Sequence, residues 1–106
     1  MTGDEFRKIA LEFAGTEIVP HFERVGFKIP KRRMFATYLD KDNTANIFLT
    51  PDEQQTFCKI DASHIYPVPN KWGEKGATTF VLDEVEPSIV REALMSAHTD
   101  TIEKRK

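Results

Sequence analysis

The chain has 106 residues, with 15 basic and 17 acidic side chains, a formal charge of −2, and 40% hydrophobic and 30% charged residues. Those values suit one globular domain and exclude a disordered or fibrous chain. A single cysteine excludes an internal disulfide framework and a four-cysteine zinc site, and no apolar run approaches the roughly 20 residues that span a bilayer.

The start, Met1-Thr2-Gly3-Asp4-Glu5, is acidic and lacks an apolar core, so no secretory signal is expected and a cytoplasmic location is. Thr2 and Glu5 have the spacing of a capping box. Phe6, Ile9, Ala10 and Phe13 then follow the i, i+3, i+4, i+7 pattern of one helical face. Gly15 is placed to end that helix, which is predicted over 3–14. From Glu17 to Phe22 the alternation is loose, and Pro20 marks an edge strand or an irregular start. Val25, Phe27 and Ile29 alternate with Gly26 and Lys28, which predicts a strand with one apolar face. Pro30-Lys31-Arg32 reads as a turn, 33–39 as the returning strand, and Asp40-Lys41-Asp42-Asn43 as a second turn. A third strand is predicted over 45–49.

Thr50, Pro51 and Glu53 form a second capping box with proline at the first helical position, predicting a short helix over 51–59. Residues 65–68 are apolar but carry Pro67, which suits a short edge strand. Asn70 to Gly76 reads as a loop with two glycines, and 77–82 as the best late strand. Pro87 opens a long helix with Ile89, Val90, Ala93, Leu94, Ala97 and Ile102 along its apolar stripe. Lys104-Arg105-Lys106 is expected at its end, where cations suit the helix dipole. Strands that do not alternate with helices predict an α+β domain, with one antiparallel sheet of about five strands packed against the first and last helices. Phe6, Ile9, Phe13, Phe27, Phe35, Phe48, Phe80, Val90 and Leu94 are the expected core.

Chemical motifs are sparse. His21, His64 and His98 are 43 and 34 residues apart and match no local metal motif, so they read as scattered surface or half-buried histidines and no metal site is expected. Cys58 has no framing Cys-His motif and reads as a small packed hydrophobe. The pairs Asp52-Glu53 and Asp83-Glu84 stand at or just before helix starts, where the dipole stabilises negative charge without a catalytic role. No phosphate loop, nucleophile elbow or zinc-protease motif is present. Neither an enzyme nor a cofactor is therefore expected.

The basic residues offer more. Lys28, Lys31, Arg32 and Arg33 run with no acid between them at a predicted hairpin tip, and Lys71 and Lys75 flank Trp72 in another loop. Such tips suit either phosphate contacts or a solvated turn guarded against edge pairing. Trp72, the single tryptophan, lies off any periodic face. It suits either a lid on the sheet edge or an aromatic that faces a ligand or partner.

The run from Ile65 to Gly76, with its Pro67-x-x-x-x-Trp72-Gly73-x-x-Gly76 core, resembles the signature loop of MmcQ/YjbR-like proteins. Thr79-Phe80-Val81-Leu82-Asp83, the helix over 90–98, Val19-Pro20-His21-Phe22, Phe27 and Met34-Phe35-Ala36 fit the same family, so the resemblance covers nearly the whole chain. It implies a CyaY-like fold, similar to bacterial frataxin homologues, with a helix at each end of an antiparallel sheet. It also implies DNA binding through a double-wing arrangement of hairpins. Carried over, Lys31, Arg32 and Arg33 form one wing tip and Lys71, Trp72 and Lys75 the second. The iron-binding acidic ridge of frataxin relatives is not carried over, because Asp4, Glu5 and Glu12 stand beside Arg7 and Lys8.

Two functions follow. One is a monomeric DNA-binding module that contacts phosphates weakly and without sequence specificity. The other is a non-enzymatic module for a small ligand or a protein, with a pocket at His21, Phe22, Lys71 and Trp72. In either case the Trp72 ring is expected to lie half-buried on the sheet with its N–H toward a groove, and Gly73 and Gly76 are expected to let its loop close. Whether the two basic loops share a face is open, since a meander puts consecutive turns at opposite ends of a sheet.

Overall fold

The computed structural model describes residues 1–103; Lys104-Arg105-Lys106, expected at the end of the last helix, lie outside the described residues. The first helix, α1, runs Gly3–Leu11, and both bonds of the Thr2/Glu5 capping box are present. It stops short of residue 14. The Glu12 and Phe13 amides reach back to Ile9 and Ala10, three residues away, which tightens the last turn before Gly15 at φ 77°. Phe13, expected in the core, is consequently only half-buried.

Among the described residues six strands form the sheet, where about five were expected: β1 (Glu17–His21), β2 (Arg24–Lys28), β3 (Met34–Leu39), β4 (Thr44–Phe48), β5 (Ile65–Pro67) and β6 (Ala77–Val81). Their order is β1-β2-β3-β4-β6-β5, and every pairing is antiparallel. The extra strand is β1, whose Pro20 is tolerated because β1 is an edge. Pro67 sits on the opposite edge strand, so a proline blunts each end of the sheet.

A bulge decides which residues of β3 face where. Phe27 pairs with Ala36 but Lys28 pairs with Met34, so Phe35 is the additional residue. Phe35 and Ala36 are both buried on the side that carries the helices, while Met34 turns to the other face beside Gly26.

One face of the sheet is covered by α1 and by the last helix, α4 (Pro87–Glu103). Phe6 packs edge-on to Phe27 at 5.5 Å between ring centroids and stacks on Tyr38 at 5.9 Å. Val90, Ala93, Leu94 and Ala97 of α4 are fully buried against the same layer. His98 is neither a surface nor a half-buried histidine but a buried one. Its ring lies between Phe13 and Phe35, with Nε2 2.8 Å from the Ala14 carbonyl, so Nε2–H donates there. An ion pair between Glu12 and Arg91 joins the end of α1 to α4. The domain is thus a two-layer α+β structure.

The chain between β4 and β6 is more regular than a loop. Helix α2 (Pro51–Cys58) starts on the complete Thr50/Glu53 capping box. Residues 70–76, predicted as loop, contain a one-turn helix, α3 (Lys71–Glu74), capped by Asn70. Phe48, another expected core residue, is half-buried because it points away from the helices.

Candidate functional site

Among the described residues, neither α1 nor α4 covers the second face of the sheet. Alternation places Arg24, Gly26 and Lys28 of β2, Met34 and Thr37 of β3, Asn46 and Phe48 of β4, and Ala77 and Thr79 of β6 on it. A cavity of about 620 Å³ crosses this face. Register shows that it runs diagonally. His21 and Arg24 pair at the end of the sheet near Leu39, whereas Met34, Phe48 and Ala77 lie at the opposite end.

Each part of the cavity has a distinct chemistry. Met34, Phe48, Leu49, Val68 and Ala77 supply apolar surface. Thr37 and Asn46 supply the polar centre: Arg24 Nη1 donates to Thr37 Oγ1 at 3.3 Å, and the Thr79 hydroxyl donates to Asn46 Oδ1 at 2.8 Å. With its oxygen so engaged, Asn46 turns its Nδ2 donors away from Thr79. Arg24, Arg33 and Lys75 bring three cations, and among the described residues no carboxylate lines the cavity.

Aromatic side chains stand at both ends. Phe22, in the β1–β2 turn, has φ 59° and is 95% exposed, its ring 5.0 Å from that of His21. A bulky residue held in the left-handed region is uncommon and points its side chain where an ordinary turn would not. Trp72 is 67% exposed, not half-buried. The Lys75 ammonium lies 5.8 Å from its ring centroid, within cation–π range.

The Trp72 platform is built rigidly. Asn70 Oδ1 accepts from the Trp72 amide at 2.8 Å and from that of Gly73 at 3.4 Å. A Cβ on Gly73 would lie 1.7 Å from the Val68 carbonyl oxygen, so only glycine lets α3 approach this closely. Gly76 holds φ 118°, and a Cβ there would lie 1.8 Å from the Leu49 carbonyl oxygen. Both glycines therefore permit close backbone packing. Gln54, buried on α2, donates through Nε2 to the carbonyls of Gly73 (2.9 Å) and Ala77 (3.1 Å), tying α3 to β6.

The fold brings together only part of the predicted constellation. Arg33, Trp72 and Lys75 line the cavity, as do His21 and Phe22. Arg33 and Lys75 line the same cavity because the β2–β3 turn and α3 lie at the same end of the sheet. Lys31 is exposed in that turn at φ 68° but is not a lining residue. Arg32 turns toward α4, its Nη1 3.4 Å from the Thr101 carbonyl. Lys71 opens α3, exposed and outside the lining.

Arg24, Thr37 and Asn46 line the site although sequence reasoning passed over them, and Phe48 lines it although it was expected in the core. The available signal was alternation. Arg24 is out of phase with Val25 and Phe27, and Asn46 stands between the buried Ala45 and Ile47.

The remaining chemical candidates lie elsewhere. Cys58 packs against the core, and burial pushes its thiol pKa up, away from the reactive thiolate. Glu53 is engaged in its capping box, and Asp83 accepts from Asn43 Nδ2 at 2.9 Å. His64 Nδ1 lies 2.9 Å from Asp61, whose carboxyl is held below its usual range chiefly by that hydrogen bond.

In fold the chain is similar to Deinococcus radiodurans protein DR2400. That crystal structure, of a protein with a DUF419 domain, superposes with a TM-score of 0.83 at 23% identity, covering 97% of this chain and 80% of that one. No family model and no curated protein matches the sequence. Among the described residues, no helix is long and apolar enough to cross a membrane.

Proposed function

We propose that this protein is a non-enzymatic DNA-binding module of the MmcQ/YjbR type, acting as a cytoplasmic monomer. The family assignment rests on the Pro67–Gly76 motif and its companion segments. The DNA reading rests on one observation: the cavity on the sheet face away from α1 and α4 gathers Arg24, Arg33 and Lys75 and, among the described residues, no carboxylate. Phosphates bind such a surface by releasing condensed counterions. The net charge of −2 does not forbid this, because acidic groups farther away than ~8 Å are largely screened at physiological salt. In double-wing terms, the β2–β3 turn is one tip and α3 the other, with Arg33 and Lys75 as their convergent members.

Fluorescence anisotropy with labelled DNA at ~50 mM salt, where phosphate contacts are strong, tests the reading. The R33Q/K75Q protein should bind more weakly and show a shallower dependence of log affinity on log salt. K31Q should change little. Absence of any wild-type binding at that salt overturns the proposal.

A second reading, a small-ligand or protein-binding module centred on Trp72, is supported by the cavity's size. At about 620 Å³ it lies within the roughly 300–1,000 Å³ of small-molecule sites, and it pairs apolar surface with a few polar groups. That reading expects a thermal shift from small planar anions under conditions where DNA gives none.

A further inference from the structure

We infer that the strand this face takes is single, with its bases stacked on Trp72 and Phe22 and its phosphates on Arg24, Arg33 and Lys75. The inference deepens the proposed nucleic-acid reading and rests on it.

Three features favour a single strand over a duplex. The first is exposed aromatic area. Trp72 and Phe22 are 67% and 95% exposed at the two ends of one cavity, and exposed rings on a cationic groove are the stacking platforms of single-strand binders. A duplex keeps its base faces inside and offers these rings nothing to stack on.

The second is the surface between them. Met34, Phe48, Leu49, Val68 and Ala77 form an apolar recess, which an unstacked base covers and a convex phosphate backbone does not. Asn46, its Oδ1 engaged by Thr79, leaves an amide donor pair at the polar centre for a base edge. The third is preorganisation. The Asn70 cap, the Gly73–Val68 contact and the two Gln54 hydrogen bonds hold the Trp72 backbone before any ligand arrives. Little ordering then remains to be done on binding. Lys75, over the Trp72 ring, is within reach of a phosphate next to a base stacked there.

Trp72 is the only tryptophan, so its fluorescence reports stacking directly. The probes are oligothymidylate and oligouridylate of about 12 nucleotides, inside the span one small domain covers, and a duplex of equal phosphate count, all at ~50 mM salt. Single strands should quench Trp72 and bind about tenfold or more tighter than the duplex, and the two oligomers tell DNA from RNA. Trp72→Ala should lower single-strand affinity about tenfold with an unchanged Tm, because the ring is exposed; Trp72→Phe should restore most of it. Phe22→Ala should act in the same direction.

Equal or tighter duplex binding without quenching overturns the inference and leaves the proposed DNA function standing. Binding that Trp72→Ala does not weaken, or full competition by polyglutamate of matched charge, also overturns it. If neither single strand nor duplex binds, the proposed function itself falls.

Discussion

The bond pair from Gln54 is where the fold and the site are most directly coupled, and Gln54→Leu tests it. Leucine keeps a similar apolar volume but deletes the donor that serves the Gly73 and Ala77 carbonyls at 2.9 and 3.1 Å. Both carbonyls keep a backbone partner, Gly73 from the Gly76 amide and Ala77 from the Val68 amide. The loss is therefore two ordinary hydrogen bonds and not two orphaned acceptors. At about 1 kcal/mol net per bond that is about 2 kcal/mol. For a domain near this size, each kcal/mol lowers Tm by roughly 4–8 °C, so Gln54→Leu should melt roughly 8–16 °C lower. Gln54→Glu should cost more at neutral pH, since a carboxylate would face two carbonyl oxygens with no proton to donate. Part of that loss should return in mild acid, as the carboxyl regains a donor. Thermal melts followed by circular dichroism at pH 7 and pH 5 give both numbers. A Gln54→Leu protein within ~0.5 kcal/mol of wild type, the size of a surface substitution, would refute the claim that these bonds anchor α3.

Phe35→Ala removes a fully buried ring that packs edge-on to His98 from the β3 bulge itself. A loss of about 3–5 kcal/mol is expected from urea melts, a large share of a typical domain's ~5–15 kcal/mol; a variant with an unchanged midpoint would show that the bulge does not aim Phe35 at α4. Acid sensitivity should follow Asp61 and Glu12, whose carboxyls are held low chiefly by hydrogen bonds to His64 and Arg91. Because the folded values lie below the unfolded ones, their contribution is present above the ordinary carboxylate range and is lost as pH falls through the lowered values. Asp61→Asn combined with Glu12→Gln should flatten the acid limb of a Tm-against-pH curve, and an unaltered limb would count against both pairings.

Much of the framework could be read from local rules. Thr2 with Glu5 and Thr50 with Glu53 mark helix starts because the reciprocal bonds span only three residues. Pro20 and Pro67 mark edges because a proline cannot donate to a ladder. The alternation around Phe27 and the stripe from Val90 to Ala97 mark the buried face. Part of the site was also legible: Trp72 and, of the two lysines beside it, Lys75 stand out as unexplained by any period.

Only the tertiary structure decided what those residues meet. The β3 bulge shifts Phe35 onto the helix side and frees Met34 for the opposite face, which no count of alternation in 34–39 reveals. The one-turn helix α3 forms in a segment too short to be stable alone, held by Asn70, Gln54 and the carbonyl that Gly73 lets close. Arg33 and Lys75 line one cavity while Arg32 turns to α4, because antiparallel pairing puts the β2–β3 turn and the start of β6 at the same end of the sheet, with β4 between them. Asn46 gains its partner from Thr79, 33 positions along the chain. The capping and alternation signals are set by bonds a few residues long and therefore leave a local trace. The cavity is set by strand order and register, which depend on many distant contacts satisfied together and leave no such trace in any one segment.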